Sequence, residues 1–289
     1  MKHTLNITLV LVLMFLLTQA IGLAVIHAYK TIQLPYGMQP PEIKPEISFW
    51  SILISIFLAV SFVFLLMKIH AGWVIKLWFF SVISIALAIT FNALLQNFVP
   101  FSRILALSFG IFFSYIKIFK RNIIFHNLTE LLIYPGIAAI FIPLLSLFSV
   151  SALLIFISIY DIYAVWYSGF MQKMAKFQIK ELKFFAGFFI PYIKGGLKEA
   201  RQAKKGKKIK ISLAILGGGD VVFPILASGV VLNSWGLLPA VIVTLFSTLG
   251  LVSLFINARK GEFYPAMPFI SAGCFLGLLI AFLVKPFLL

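Results

Sequence analysis

Acidic side chains are scarce in this 289-residue chain. Eight residues are Asp or Glu against 24 Lys and Arg, and only two of the eight are aspartates, Asp161 and Asp220. Charge of either sign is also short, at 11% of residues, where a soluble domain carries about a quarter. With 62% apolar residues and a mean hydropathy of +1.09, the chain cannot be a water-soluble globule. Cysteine occurs once, at Cys274, which excludes an intramolecular disulfide and a cysteine metal cluster. The lone thiol reads as a small packing group. The four histidines, His3, His27, His70 and His126, fall at span ends or in loops. Ser228 in "ASG" therefore has no histidine to activate it, and without HExxH a zinc protease of that type is excluded. No cofactor or metal is called for.

What the chain has in abundance is apolar length. Nine segments approach or exceed the ~20 residues needed to cross a ~30 Å hydrocarbon layer. They lie near 5–28, 48–68, 72–95, 98–119, 128–147, 149–167, 211–232, 237–257 and 265–286. The first is too long for a signal peptide and lacks a small-x-small cleavage site, so it reads as a retained span. The expected fold is an all-α polytopic membrane protein of nine transmembrane helices. With the N-terminus cytoplasmic and the C-terminus extracytoplasmic, 20 of the 24 basic residues fall inside. This is the positive-inside bias. The net charge of +16 therefore reports topology and contact with anionic lipid, and no nucleic-acid motif accompanies it.

The chain divides into a six-helix part, 1–167, a basic inner loop, 168–210, and a three-helix part, 211–289, which together form one membrane domain. The loop at 29–47 is proline-rich and falls outside. Within 168–210, "MQKMAKFQIKELKFF" patterns as an amphipathic helix in the headgroup layer, and "KEARQAKKGKKIK" as a flexible basic tether. In "HNLTE", Asn127 and Glu130 have capping-box spacing, which assigns Glu130 to a helix cap. No internal repeat of the transporter kind is visible.

The two aspartates stand out against this background. A mid-span aspartate costs ~3 kcal/mol on insertion scales, and the spans around both contain no lysine or arginine. Counting ~1.5 Å per residue from the inner ends places Asp161 at ~10 Å and Asp220 at ~14 Å depth. Two consecutive, oppositely directed helices thus bring them to similar depth. Adjacent carboxyls in a poor dielectric share one proton near neutral pH. The ionised partner can activate water while the protonated one polarises a peptide carbonyl. Gly217, Gly218 and Gly219 precede Asp220, and Pro224 follows. Such a segment is weakened as a helix and open to close backbone approach, although glycine-lined helix contacts are also common in membranes. At the inner end of the last span stands "YPAMPFI", with Pro265 and Pro268 near a helix start.

In order, Tyr160–Asp161, Gly217–Gly218–Gly219–Asp220 and Pro265–Ala266–Met267 resemble the YD, GxGD and PAL motifs of the presenilin and signal peptide peptidase family of intramembrane aspartyl proteases. The resemblance covers most of the chain, including the long loop between the sixth and seventh spans. It implies that Asp161 and Asp220 are the catalytic pair, and that Pro265, Ala266 and Met267 support the site or bind substrate. Met267 stands where the family has leucine, a swap of similar volume. Tyr160 either supports Asp161 or is an ordinary buried aromatic. The inner placement of the long loop matches the presenilin branch. The resemblance further implies transmembrane-helix substrates with their N-termini outside, no obligatory subunits, and a microbial plasma membrane. A substrate helix must unwind to be cut, and exposed backbone near Pro265 or at the start of the seventh span can receive it as an added strand. The reading from a different class is an ion- or proton-coupled transporter that binds its cation at the aspartates.

Overall fold

A computed structural model describes residues 5–38, 72–120, 122–168, 186–193, 211–258 and 264–285, with scattered helical residues between 50 and 66. The chain is mostly helical. In order it forms α1 (Leu5–Ala28), α2 (Gly72–Leu95), α3 (Ser102–Tyr115), α4 (Ile123–Phe141), α5 (Leu147–Ile162), β1 (Gly187–Ile193), β2 (Ile211–Gly217), α6 (Gly218–Trp235), α7 (Leu237–Asn257) and α8 (Met267–Val284). α3 and α5 each continue into a π-helical turn, Ile116–Lys120 and Tyr163–Tyr167. Among the described residues, seven helical stretches are long and apolar enough to span a membrane. They correspond to seven of the nine expected spans. The expected second span is described only in part, and both the amphipathic segment at 171–185 and the tether at 198–210 lie outside the described residues.

The expected seventh span, 211–232, is corrected. Its first seven residues are not helical; they form β2, which pairs antiparallel with β1, Gly187 facing Gly217 and Ile193 facing Ile211. The all-α expectation is corrected with it, and the partner strand at Gly187–Ile193, within the inner 168–210 segment, is an element the sequence reading does not contain. The strand shows in its burial: Ala214 and Leu216 are buried while Leu213 and Ile215 are exposed. That is the two-residue alternation of a pleated strand. A short apolar run does not distinguish strand from buried helix by periodicity, so "ISLAIL" merged with the helix that follows it.

α6 lies at the centre of the bundle and packs against α1, α4, α5, α7 and α8. Its middle, Ile225 to Leu232, is buried without interruption. Around it the helices approach closely through small residues. A Cβ at Gly273 would overlap the Phe246 carbonyl, and one at Gly277 would lie 2.8 Å from Val243 Cα. α8 therefore lies almost backbone to backbone on α7, the packing that membranes favour where no hydrophobic drive separates helix from lipid. Ser158 Oγ donates to Ser271 Oγ at 2.9 Å and ties α5 to α8. Exposed Leu, Ile, Phe and Trp side chains cover the outer faces of the bundle, the arrangement of a protein whose solvent is lipid.

Candidate active site

Asp161 lies in the last turn of α5 and is 6% exposed. Its Oδ2 accepts a hydrogen bond from the backbone N–H of Met267 at 3.0 Å. Met267 is the first residue of α8, so its N–H is one of those that a helix start leaves without an internal acceptor. The carboxylate takes up that free donor at the positive end of the helix. Pro265 and Ala266, which lead into α8, are both buried.

Asp220 lies in the first turn of α6, directly after the strand. The ~14 Å depth expected for it counted from residue 211; because the helix starts at Gly218, Asp220 instead sits at a strand-to-helix elbow. One carboxylate oxygen is 3.0 Å from where a Cβ on Gly217 would stand, so the glycine gives the acid its room. Pro224, inside the helix, has no N–H to offer the Asp220 carbonyl four residues back. Gln19 on α1 pins the elbow from behind, with Nε2 donating to the Val221 carbonyl at 3.0 Å. α5 packs against α6, and Asp161 in the last turn of the one stands toward Asp220 in the first turn of the other. The ends of α5, α6 and α8 thus meet at one end of the bundle.

The other sequence-predicted residues are distributed as follows. Gly218 packs under Tyr134, whose hydroxyl is 2.7 Å from the place of a Gly218 Cβ. Gly219 is exposed. Tyr160 is 44% exposed and so is not a buried core aromatic. Ser228 is fully buried and donates to the Ile225 carbonyl at 3.2 Å, a local bond within its own helix. Cys274 is buried in the core.

Glu130 requires correction. The helix it was expected to cap begins earlier, at Ile123, and Asn122 is the cap, its side chain accepting from the N–H groups of Ile124 and Phe125. Glu130 is inside the helix, 2% exposed, and forms an ion pair with Lys117. Asn127 holds β1: its Oδ1 accepts from Phe189 N–H at 3.2 Å and its Nδ2 donates to the Phe189 carbonyl at 2.9 Å. That pair of bonds imitates a further strand on the outer edge of the sheet. Lys117 and Tyr134 carry no functional signal of their own in the sequence, and His126 reads there only as a span-end histidine, whereas it is buried in the helix. A signal for three residues of this group exists, since His126, Glu130 and Tyr134 recur every fourth residue on one helix face.

The sequence matches the family model described as "Signal-peptide peptidase, presenilin aspartyl protease" over residues 10–286. No curated protein matches it. Two solved structures of a presenilin family intramembrane aspartate protease are similar in fold. The first, in a C222 crystal form, has a TM-score of 0.65 and 17% identity, covering 96% of this chain and 99% of the other. The second, in a P2 form, has a TM-score of 0.61 and 17% identity, covering 95% and 96%.

Proposed function

The chain belongs to the signal-peptide peptidase and presenilin family of intramembrane aspartyl proteases, and from that membership we propose that Asp161 and Asp220 are the dyad that cleaves transmembrane-helix substrates. The observation that supports this reading is that the chain's two aspartates stand at the ends of packed helices, Asp161 closing α5 and bonded to the start of α8, Asp220 opening α6. One carboxyl is ionised and takes a proton from water as the water attacks. The other is protonated and donates to the scissile carbonyl oxygen. A tetrahedral intermediate forms and collapses with proton transfer to the leaving nitrogen, and no acyl-enzyme is needed. The Met267 N–H fixes the orientation of Asp161, and Gly217 leaves space for Asp220.

Substrate enters laterally, unwinds, and lies extended beside the dyad. Its support is β2: among the described residues the edge opposite β1 carries no strand, and that strand leads straight into Asp220. A peptide added there gains main-chain hydrogen bonds otherwise unavailable in lipid. Pro265, Ala266 and Met267 line the same end. Tyr160 and Gly219 serve the site's outer rim. The excess of basic residues supports a cytoplasmic position for this end, the 168–210 loop and the N-terminus, with the C-terminus outside; the membrane is proposed to be a microbial plasma membrane. On this reading 1–167 and 211–289 act as one catalytic unit without obligatory subunits, in nine spans. The transporter reading has no support in the family match.

The test is incubation of purified protein in detergent with a labelled transmembrane-helix peptide. Asp161→Asn and Asp220→Asn should each abolish cleavage, and a transition-state inhibitor of aspartyl proteases should block the native protein. Full activity in either variant ends the proposal.

A further inference from the structure

Among the described residues, Lys117, His126 and Glu130 are the buried charged or titratable basic and acidic side chains other than Asp161. They form one cluster against the elbow that carries Asp220. Lys117, from the π-helical turn after α3, reaches the Glu130 carboxylate, and its Nζ is 3.2 Å from His126 Nδ1. His126 Nε2 lies 2.9 Å from the Gly187 carbonyl oxygen at the start of β1. Because a carbonyl only accepts, Nε2 carries the proton and Nδ1 accepts from the ammonium. Two turns beyond His126, on the same face of α4, stands Tyr134.

Tyr134 is 4% exposed. Its ring meets Phe188 of β1 edge-on, with centroids 5.9 Å apart. Its hydroxyl occupies the place a side chain on Gly218 would take. The nearer acidic neighbour of the oxygen is Glu130, toward which the hydroxyl is turned, with Asp220 acting from farther off; neither contact meets full hydrogen-bond geometry. A buried phenol left in that state is costly, and buried tyrosines normally find a partner. Glu130 is already engaged by Lys117, with His126 Nε2 a further 3.5 Å from the same oxygen. Asp220, in contrast, is the acid whose position the reaction must control.

We propose that Tyr134 is a positioning residue for peptide cleavage: its hydroxyl donates to the Asp220 carboxyl in the substrate-bound site and keeps that group turned toward Asp161. This rests on the dyad reading above. Lys117 holds one Glu130 oxygen in place, and the bare Gly218 admits the phenol beside the elbow. A side chain at Gly218, the residue between the two flanking glycines of the motif, would require Tyr134 to shift.

The experiment compares kcat and KM for a labelled transmembrane-helix peptide in the native protein, Tyr134→Phe, Gly218→Ala, the double variant and Asp220→Asn, with thermal melts in the same detergent. Tyr134→Phe keeps the ring and removes one oxygen. It should lower kcat about tenfold, the scale of one charged hydrogen bond, with KM and melting temperature nearly unchanged. Gly218→Ala, which crowds the hydroxyl, should also lower kcat, and the double variant should be no worse than the sum of its parts in logarithm. Native kcat in Tyr134→Phe beside an inactive Asp220→Asn overturns the positioning role alone. A loss in Tyr134→Phe that appears in KM or tracks a fall in melting temperature assigns the residue to packing and also overturns it. An active Asp220→Asn overturns the dyad itself.

Discussion

The backbone N–H of Met267 donates to the Asp161 carboxylate at 3.0 Å, so the start of one helix holds an acid on the end of another. This bond uses no side chain of Met267. Met267→Leu should therefore leave peptide cleavage within about twofold of native, since the volume is conserved. Met267→Pro deletes the donor at the first helical position, where proline is otherwise tolerated. Loss of a hydrogen bond to a charged group, ~1.5–3 kcal/mol, corresponds to a fall in kcat of roughly ten- to a hundredfold. Cleavage assays with melting curves on both variants check this, and equal rates would dissociate the N–H from the chemistry.

The Lys117–Glu130 pair is buried on both sides. Removing one partner strands the other's charge, a loss of about 3–5 kcal/mol for buried pairs. Glu130→Gln and Lys117→Met should each lower the melting temperature sharply. The combined variant should recover much of the loss, because neither charge of the pair is left stranded. Melting temperatures of the three variants decide it; additive losses would show that the two side chains act independently.

How far the sequence reveals this protein depends on how local the physics is. The aspartates were legible because an acid in a long apolar run needs a reason, and few such positions exist. The helices were legible through length and hydropathy. β2 was not, because its alternation is hidden inside a continuous apolar segment, and its partner strand lies in a loop dominated by charge. Asn127 and Glu130 satisfied a local capping rule, but Asn122 stands five residues earlier and captured the helix start first. Tertiary packing then gave Glu130 to Lys117 and Asn127 to Phe189. Both partnerships join elements that no local pattern connects.

Asn127 is expected to matter through the sheet. With its side chain bonded to both the N–H and the carbonyl of Phe189, it protects one backbone amide of β1 from exchange. Asn127→Ala should speed hydrogen–deuterium exchange in the 187–193 segment while leaving α7 and α8 as they were, since local opening follows local bonding. Exchange mass spectrometry on the detergent-solubilised protein measures this. Unchanged protection in β1 would show that β2 alone holds the strand.

The glycines of α8 set how closely it approaches α7. At Gly273 an added methyl would meet the Phe246 carbonyl, and at Gly277 it would meet Val243 Cα at 2.8 Å. Both obstacles are backbone atoms and cannot swing aside, so the helix itself must move. Overpacking of this kind costs about 1–3 kcal/mol, and Gly273→Ala and Gly277→Ala should melt earlier than the native protein. The displacement also reaches Met267, because α8 is continuous from Gly277 back to the N–H that holds Asp161. Catalysis should therefore fall below what the remaining folded fraction accounts for. Cys274→Ser, between the two glycines and equally buried, is the control: it changes chemistry without adding volume and should leave the α7–α8 spacing and the cleavage rate close to native. If the glycine variants lose stability but cleave at full rate per folded molecule, the start of α8 does not transmit its position to the dyad.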